Sequence, residues 1–227
     1  MRILSVDTST PAGSIVLADD ERIVGEVNID SAETHSVRLL SGIDHVLKSL
    51  GLTLWDVHAF AVISGPGSFT GIRIGLTTIK GLAETTGKPT IPITAFEAWA
   101  EKFPEETGVI VPLIDARRGE VYATVFERVH RELNLLSRGT VESPSQLLLR
   151  LTHEHVLFVG DGATRYGELI AKWGRPFWRV APSDAFLGRP MSRLACRKAM
   201  ADTFTSASDL KAYYLRKSDA ELYWKEK

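Results

Sequence analysis

A single cysteine, Cys196, stands in 227 residues. One thiol cannot form a disulfide within the chain, so a disulfide-stapled secreted scaffold is excluded and a reducing compartment fits. No run approaches the roughly 18 apolar residues of a membrane-spanning helix. The opening MRILSVDTST reaches Asp7 before any long apolar stretch, unlike a secretory leader. The expectation is a cytoplasmic protein with no membrane contact. Charge of one sign is also missing: 27 basic residues face 28 acidic ones. A domain that grips nucleic acid by itself carries a basic excess, so contact with RNA is expected only locally or through a partner. Among the six histidines no His-x-x-x-His pair occurs, which excludes the simplest metal pair on one helical face. His153 and His155 are two apart near a strand start, where a solvated edge is the simpler reading than a ligand pair.

What is present is ordinary for a soluble chain: 44% hydrophobic and 24% charged residues. The length suits two small lobes better than one domain. Arg2 to Val6, Gly13 to Leu17 and Arg22 to Asn28 read as three strands joined by tight turns. Leu39, Ile43, Val46, Leu47 and Leu50 then fall at helical spacing within a helix predicted from Glu33 to Leu50, and Gly51 stops it. Ala59 to Ser64 is a strand, Gly65 to Gly71 a glycine-rich turn, and a helix runs to about Thr86. A strand at Thr90 to Ile93 and a helix at Ala95 to Lys102 follow. After Pro104–Gly108 the plan repeats. VDTSTPAGSIVL parallels IDARRGEVYATVF, and FAVISGPGSFTG parallels VLFVGDGATRYG. Such symmetry predicts an α/β protein of two similar lobes, each a mixed sheet with flanking helices. The lobes are expected at 1–103 and 104–227, with the helical stretch from Ser183 to Thr203 and the tail packing back on the first.

Asp7 and Asp115 close the first strand of each half. Each precedes a hairpin whose N–H groups can hold phosphate while the carboxylate holds hydrated magnesium; an aspartate capping its own turn is the plainer alternative. Arg117 and Arg118 replace the small residues that a closely packed phosphate wants. The loop GPGSFTGIRIG matches no familiar nucleotide or nucleophile motif. Gly71 precedes Ile-Arg rather than Lys-Ser/Thr, Gly65, Gly67 and Gly71 miss G-x-G-x-x-G by one residue, and Pro66 and Thr70 flank Ser68 where a nucleophile elbow needs glycines. Gly75 and Gly81 are costly inside a helix. Gly71, Gly75 and Thr78 share a face that admits a close backbone, belonging to a partner or to the same lobe. Arg73 near the helix start opposes the helix dipole. Arg189, Arg193 and Arg197 form a basic stripe able to hold phosphates or simply to face water. Cys196 beside it reads as an inert thiol. Tyr223 and Trp224 in the polar tail suit docking.

The segments ILSVDTST, ETHSVRLL, SGPGSFTGIRIG, DARRGEVY and YYLRKSDAE together resemble the TsaB/YeaZ family over nearly the whole chain. The resemblance implies the actin-like, Hsp70-like, sugar-kinase ATPase fold. It also implies a non-catalytic subunit that dimerises with a TsaD-like, metal- and nucleotide-carrying threonylcarbamoyltransferase and works with a small TsaE-like P-loop ATPase. That assembly modifies the adenosine next to the anticodon of ANN-decoding tRNAs, and this chain meets tRNA only through it. Contacts are implied for the first two long helices, at His35, Ser36, Leu39, Leu40, Ile43, Gly71, Arg73, Ile74, Gly75 and Thr78, with a homodimer through the same surface when the partner is absent. Asp7, Thr8, Ser9, Asp115, Gly160 and Gly162 mark a vestigial cleft for ATP or ADP; no cofactor or metal is required by this chain. Catalytic relatives carry His-x-x-x-His on the first helix, whereas here His35 is followed by Arg38 and Leu39. A stand-alone ATPase or small-molecule kinase using Asp7 and Asp115 is the competing enzyme reading. A nucleic-acid module built on the Arg189 stripe is the third.

Overall fold

The computed structural model describes residues 1–30, 35–182 and 184–216. Two compact units emerge: Met1–Glu106 with Pro182–Ala212, and Thr107–Ala181 with the described residues from Tyr213 onward.

In the first unit β1 (Arg2–Asp7), β2 (Ala12–Asp19) and β3 (Arg22–Asp30) form an antiparallel meander, while β4 (Ala59–Gly65) and β5 (Thr90–Thr94) add in parallel. The sheet order is β3-β2-β1-β4-β5. Strands β1, β2 and β4 are buried on both faces, and their sequences are accordingly apolar or small at nearly every position. On one face lie α1 (His35–Ser49) and α2 (Phe69–Thr86); Leu39, Ile43, Val46 and Leu47 interlock there with Leu4, Val6, Ile15, Leu17 and Ile79. On the other lie α3 (Ala95–Glu101) and α7 (Gly188–Met200). The segment carrying α7 therefore belongs to the first unit. Gly188 lets it lie on β2, where a methyl group would sit 2.7 Å from Val16 and 2.8 Å from Ser14. The free edge of β5 is closed by paired backbone bonds between Thr90 and Thr205.

The second unit repeats this wiring. β6 (Gly108–Asp115), β7 (Val121–Val129) and β8 (Glu132–Glu142) form the meander, and β9 (Val156–Val159) and β10 (Trp178–Val180) extend it in parallel. Its order, β10-β9-β6-β7-β8, is that of the first sheet with each strand replaced by its counterpart. The repeat legible in the sequence is thus a repeat of topology. Helix α4 (Pro144–Arg150) starts on a reciprocal Ser143–Gln146 capping box with Pro144 at its first turn. The counterpart of α2 is broken into α5 (Asp161–Arg165) and α6 (Gly167–Lys172). Strand β10 has no sequence signal; three residues are too few for a period.

Candidate functional site

The helices expected to meet a partner present two kinds of residue. Leu39 and Ile43 are 4% and 3% exposed and belong to the first unit's own core, so their side chains are not on its open surface. Leu40, one position on, is 56% exposed and points outward. With Ser41, Asp44, His45 and Lys48 it forms the open face of α1. The side chains of His35 and Ser36 lie outside the described residues, as do Lys217, Tyr223 and Trp224 of the tail.

On α2 the correction concerns Gly71 and Gly75. Both are buried, and both face the β1–β2 hairpin of the same unit. A methyl group on Gly71 would overlap the Thr8 carbonyl oxygen, and one on Gly75 the Thr8 hydroxyl. Their close approach serves the fold: Thr8 Oγ1 donates to the Gly71 carbonyl at 2.7 Å, and the Ser68 N–H donates to the Ser9 carbonyl at 2.7 Å. Ser68 caps α2 by accepting from the Gly71 N–H at 3.2 Å. Ile74 packs against the core cluster, and Thr78 is half-buried. Arg73 is exposed, its guanidinium 3.9 Å from the Phe69 ring centroid one turn earlier. That contact offsets its poor position at a helix N-terminus. The outward face of α2 thus runs through Arg73, Thr77, Gly81, Glu84 and Thr85.

Asp7 ends β1 and is 1% exposed. Its Oδ1 accepts from the Ser9 N–H at 2.8 Å and the Ser9 hydroxyl at 2.7 Å, so it caps its own turn. Its Oδ2 is buried without a hydrogen-bond partner among the described residues. Burial pushes the carboxyl up from 3.8 to about 6, against the bonds from Ser9 and the Lys102 ammonium. This has a definite sign. Below pH 3.8 the group is neutral folded or unfolded and costs nothing. As pH rises through 3.8 toward 6 the unfolded chain ionises first, and at neutral pH up to about 3 kcal/mol of stability is forgone. Asp7→Asn is expected to gain about 1–2 kcal/mol at pH 7.5, less than the full amount because the amide Nδ2 inherits the unpartnered position. It should also flatten the stability profile between pH 4 and 6, as checked by urea unfolding across that range.

In the second unit Asp115 ends β6. Its Oδ1 accepts from the Arg117 N–H at 3.0 Å and its Oδ2 from Arg165 at 3.3 Å. Asp161 accepts from the Asp115 N–H at 3.1 Å and the Gly162 N–H at 2.8 Å, and burial raises its pKa. A side chain at Gly160 would overlap the Leu113 carbonyl, and one at Gly162 would lie 2.9 Å from it. The turn after β9 is therefore filled by the backbone of β6. Arg216 closes the hairpin from outside through the Ala116 carbonyl and Glu120. Thr8, Ser9 and Asp115 of the two hairpins are thus engaged within their own units, while Asp7 Oδ2 has no hydrogen-bond partner among the described residues. Among the described residues no group of three or more His, Cys, Asp or Glu side chains could hold a metal ion.

The basic stripe on α7 is internal wiring. Glu101, 1% exposed at the end of α3, accepts from Arg197 at 2.7 and 3.0 Å and from Arg193 at 3.3 Å, while Arg193 also reaches the Glu101 carbonyl at 2.7 Å. Arg189 pairs with Glu26 at 2.7 Å. The arginines keep the partly solvated face expected of them, with each also paired to a carboxylate of the same unit. Their carboxylate partners lie about 90 and 160 positions away in sequence, so no local pattern announces them. Lys102 escaped notice for the same reason: its ammonium ties down Asp184 Oδ1 at 2.6 Å and the Phe186 carbonyl at 2.9 Å, ahead of α7. Cys196 is buried, bonded to the Asp20 carbonyl at 2.9 Å, with its pKa raised by burial.

Two α/β units of one mixed topology, each with an aspartate at the end of its first strand and a hairpin after it, define the two-lobed class that includes actin-like ATPases and sugar kinases. A putative N-acetylmannosamine kinase from Listeria monocytogenes shares that fold, with a TM-score of 0.54 at 11% identity over 88% of this chain and 100% of its own. YeaZ from Pseudomonas aeruginosa superimposes with a TM-score of 0.82 at 26% identity, over 94% of this chain and 99% of that one. The tRNA threonylcarbamoyladenosine biosynthesis protein TsaB of Haemophilus influenzae is 32% identical over 100% of this chain and 97% of its own length. Its Bacillus subtilis namesake is 28% identical over 100% and 99%. The family model described as TsaD, tRNA N6-adenosine threonylcarbamoyltransferase, matches residues 22–172. The chain belongs to this threonylcarbamoyltransferase-related family and, within it, to the TsaB/YeaZ branch.

Proposed function

We propose that this chain serves the synthesis of threonylcarbamoyladenosine in tRNA as a non-catalytic subunit, docking on a TsaD-like threonylcarbamoyltransferase through the outward faces of α1 and α2. The observation that supports the reading is the bonding of Thr8, Ser9 and Asp115 within their own units, which commits those hairpin groups to the fold. The names of its full-length relatives supply the pathway. The catalytic subunit then carries the metal and nucleotide, a TsaE-like P-loop ATPase completes the assembly, and this chain needs no cofactor. Free of its partner, it pairs with a second copy through the same face. No helix of the described residues is long and apolar enough to cross a membrane, and the assembly is proposed to work in the cytoplasm.

The test is threonylcarbamoyl transfer to unmodified tRNA from threonylcarbamoyl-adenylate, with the TsaD-like and TsaE-like proteins. Product should require both this chain and the TsaD-like protein. Transfer by this chain alone, or undiminished transfer in its absence, refutes the accessory role. In the docking face, Leu40→Glu with Arg73→Glu is expected to weaken binding to the TsaD-like subunit at least about tenfold by calorimetry. Both positions are exposed, so stability should stay within about 0.5 kcal/mol of the parent. Leu39→Ala, directed into the core, should instead cost about 2–5 kcal/mol of stability.

A further inference from the structure

The second unit carries a feature that its place in the fold does not demand. Phe177, just before β10, is 48% exposed. The His155 ring, also exposed, stacks on it with centroids 4.4 Å apart and planes 24° apart. The pairing follows from register. Trp178 lies beside Val156 in the parallel β9–β10 pair, which brings the preceding residues Phe177 and His155 side by side. Trp178 turns inward, 8% exposed and packed edge-on to Phe158, so Phe177 points the other way.

Three cations lie close to Phe177 in sequence. Arg175 is exposed, with its guanidinium 5.5 Å from the Trp178 ring centroid, and Lys172 and Arg179 are exposed on the same short segment. Thr107–Ala181 holds ten arginines and lysines against eight carboxylates, whereas the whole chain is slightly acidic. A lone exposed phenylalanine is unremarkable on any surface. An exposed ring pair on a segment that carries three exposed cations within eight residues, one of them (Lys172) 4.0 Å from Glu168, has the composition of a stacking platform for bases with cations nearby for phosphates.

We propose that Phe177 and His155, with Arg175, Arg179 and Lys172, form a binding site for unpaired nucleotides of a single-stranded nucleic acid. The site lies on the second unit, whereas α1 and α2 belong to the first. It goes beyond the accessory role and stands or falls separately from partner docking, because the whole chain by itself is tested.

The experiment is fluorescence anisotropy of the full chain with a labelled twelve-nucleotide single-stranded RNA, its DNA equivalent and the matching RNA duplex, across a range of salt. The expected result is salt-dependent binding of the single strands in preference to the duplex. Phe177→Ala should weaken it by about fivefold or more, Phe177→Trp should retain it, and Arg175→Gln should reduce the salt slope by about one. Preference of RNA over DNA would identify RNA as the source of the bases; equal binding leaves the stacking chemistry in place with either. Equal affinity of Phe177→Ala and the parent overturns the site, as does binding of the duplex as tight as the single strand, or no binding at low salt. The calorimetric affinity for the TsaD-like subunit should be unchanged in Phe177→Ala, which separates this result from failure of the docking face.

Discussion

Removing both guanidinium groups from Glu101, in the double variant Arg193→Ala and Arg197→Ala, is expected to destabilise the protein by about 3–5 kcal/mol, the range for stranding a buried charge. The carboxylate is 1% exposed, while the two arginines keep 41% and 44% of their side-chain surface in water. That asymmetry sets the outcome. An arginine that loses Glu101 still has solvent, but Glu101 deprived of its arginines remains inside the α3–α7 packing with three fewer charge-assisted bonds to its carboxylate. The single variant Glu101→Gln should therefore cost less than the double arginine variant. Arg189→Ala provides the contrast, because its pair with Glu26 leaves the arginine 66% exposed and should be worth under about 1 kcal/mol. Urea unfolding of the three variants checks the ranking. Equal small losses throughout would mean that the arginines face solvent functionally and that the clamp is incidental.

Three glycines of α2 should respond to the same substitution with different signs. Gly81 is exposed, with nothing within 4 Å of an added methyl group, so Gly81→Ala is expected to stabilise by about 0.5–1 kcal/mol through helix propensity alone. Gly71→Ala meets the backbone carbonyl of Thr8, and a backbone atom cannot rotate away as a side chain does. Helix and hairpin must move apart, straining the Thr8–Gly71 and Ser68–Ser9 bonds, and the expected net loss is about 1–3 kcal/mol. Gly75→Ala meets the Thr8 hydroxyl, the end of a short side chain, and should fall between the two. Thermal unfolding of the three single variants measures this. A stable Gly71→Ala protein with impaired partner binding would restore Gly71 to the docking face and contradict the packing described above.

The sequence alone determined the architecture, because strand, turn and helix signals are local and occur twice in the same order. Each half lists three strands, a helix, a strand and a glycine turn, and the two sheets carry matching strand orders. Helix α1 was legible from Leu39, Ile43, Val46 and Leu47 for the same reason: one apolar face at a fixed period. That period does not by itself separate residues facing the core from residues left for a partner. It marks which residues share a face, and an amphipathic helix buries that face against its own sheet first, leaving Leu40 rather than Leu39 or Ile43 for a partner. Whether Gly71 and Gly75 meet another molecule or the same chain depends on where Thr8, just after β1 and 63 positions away from Gly71, is placed. The Glu101 clamp, the Lys102 tie to Asp184 and the Phe177–His155 stack likewise join groups distant in sequence. Local chemistry names the residues able to pair; only the packing of helices on sheets brings particular ones within bonding distance, and only the tertiary structure decided those pairs.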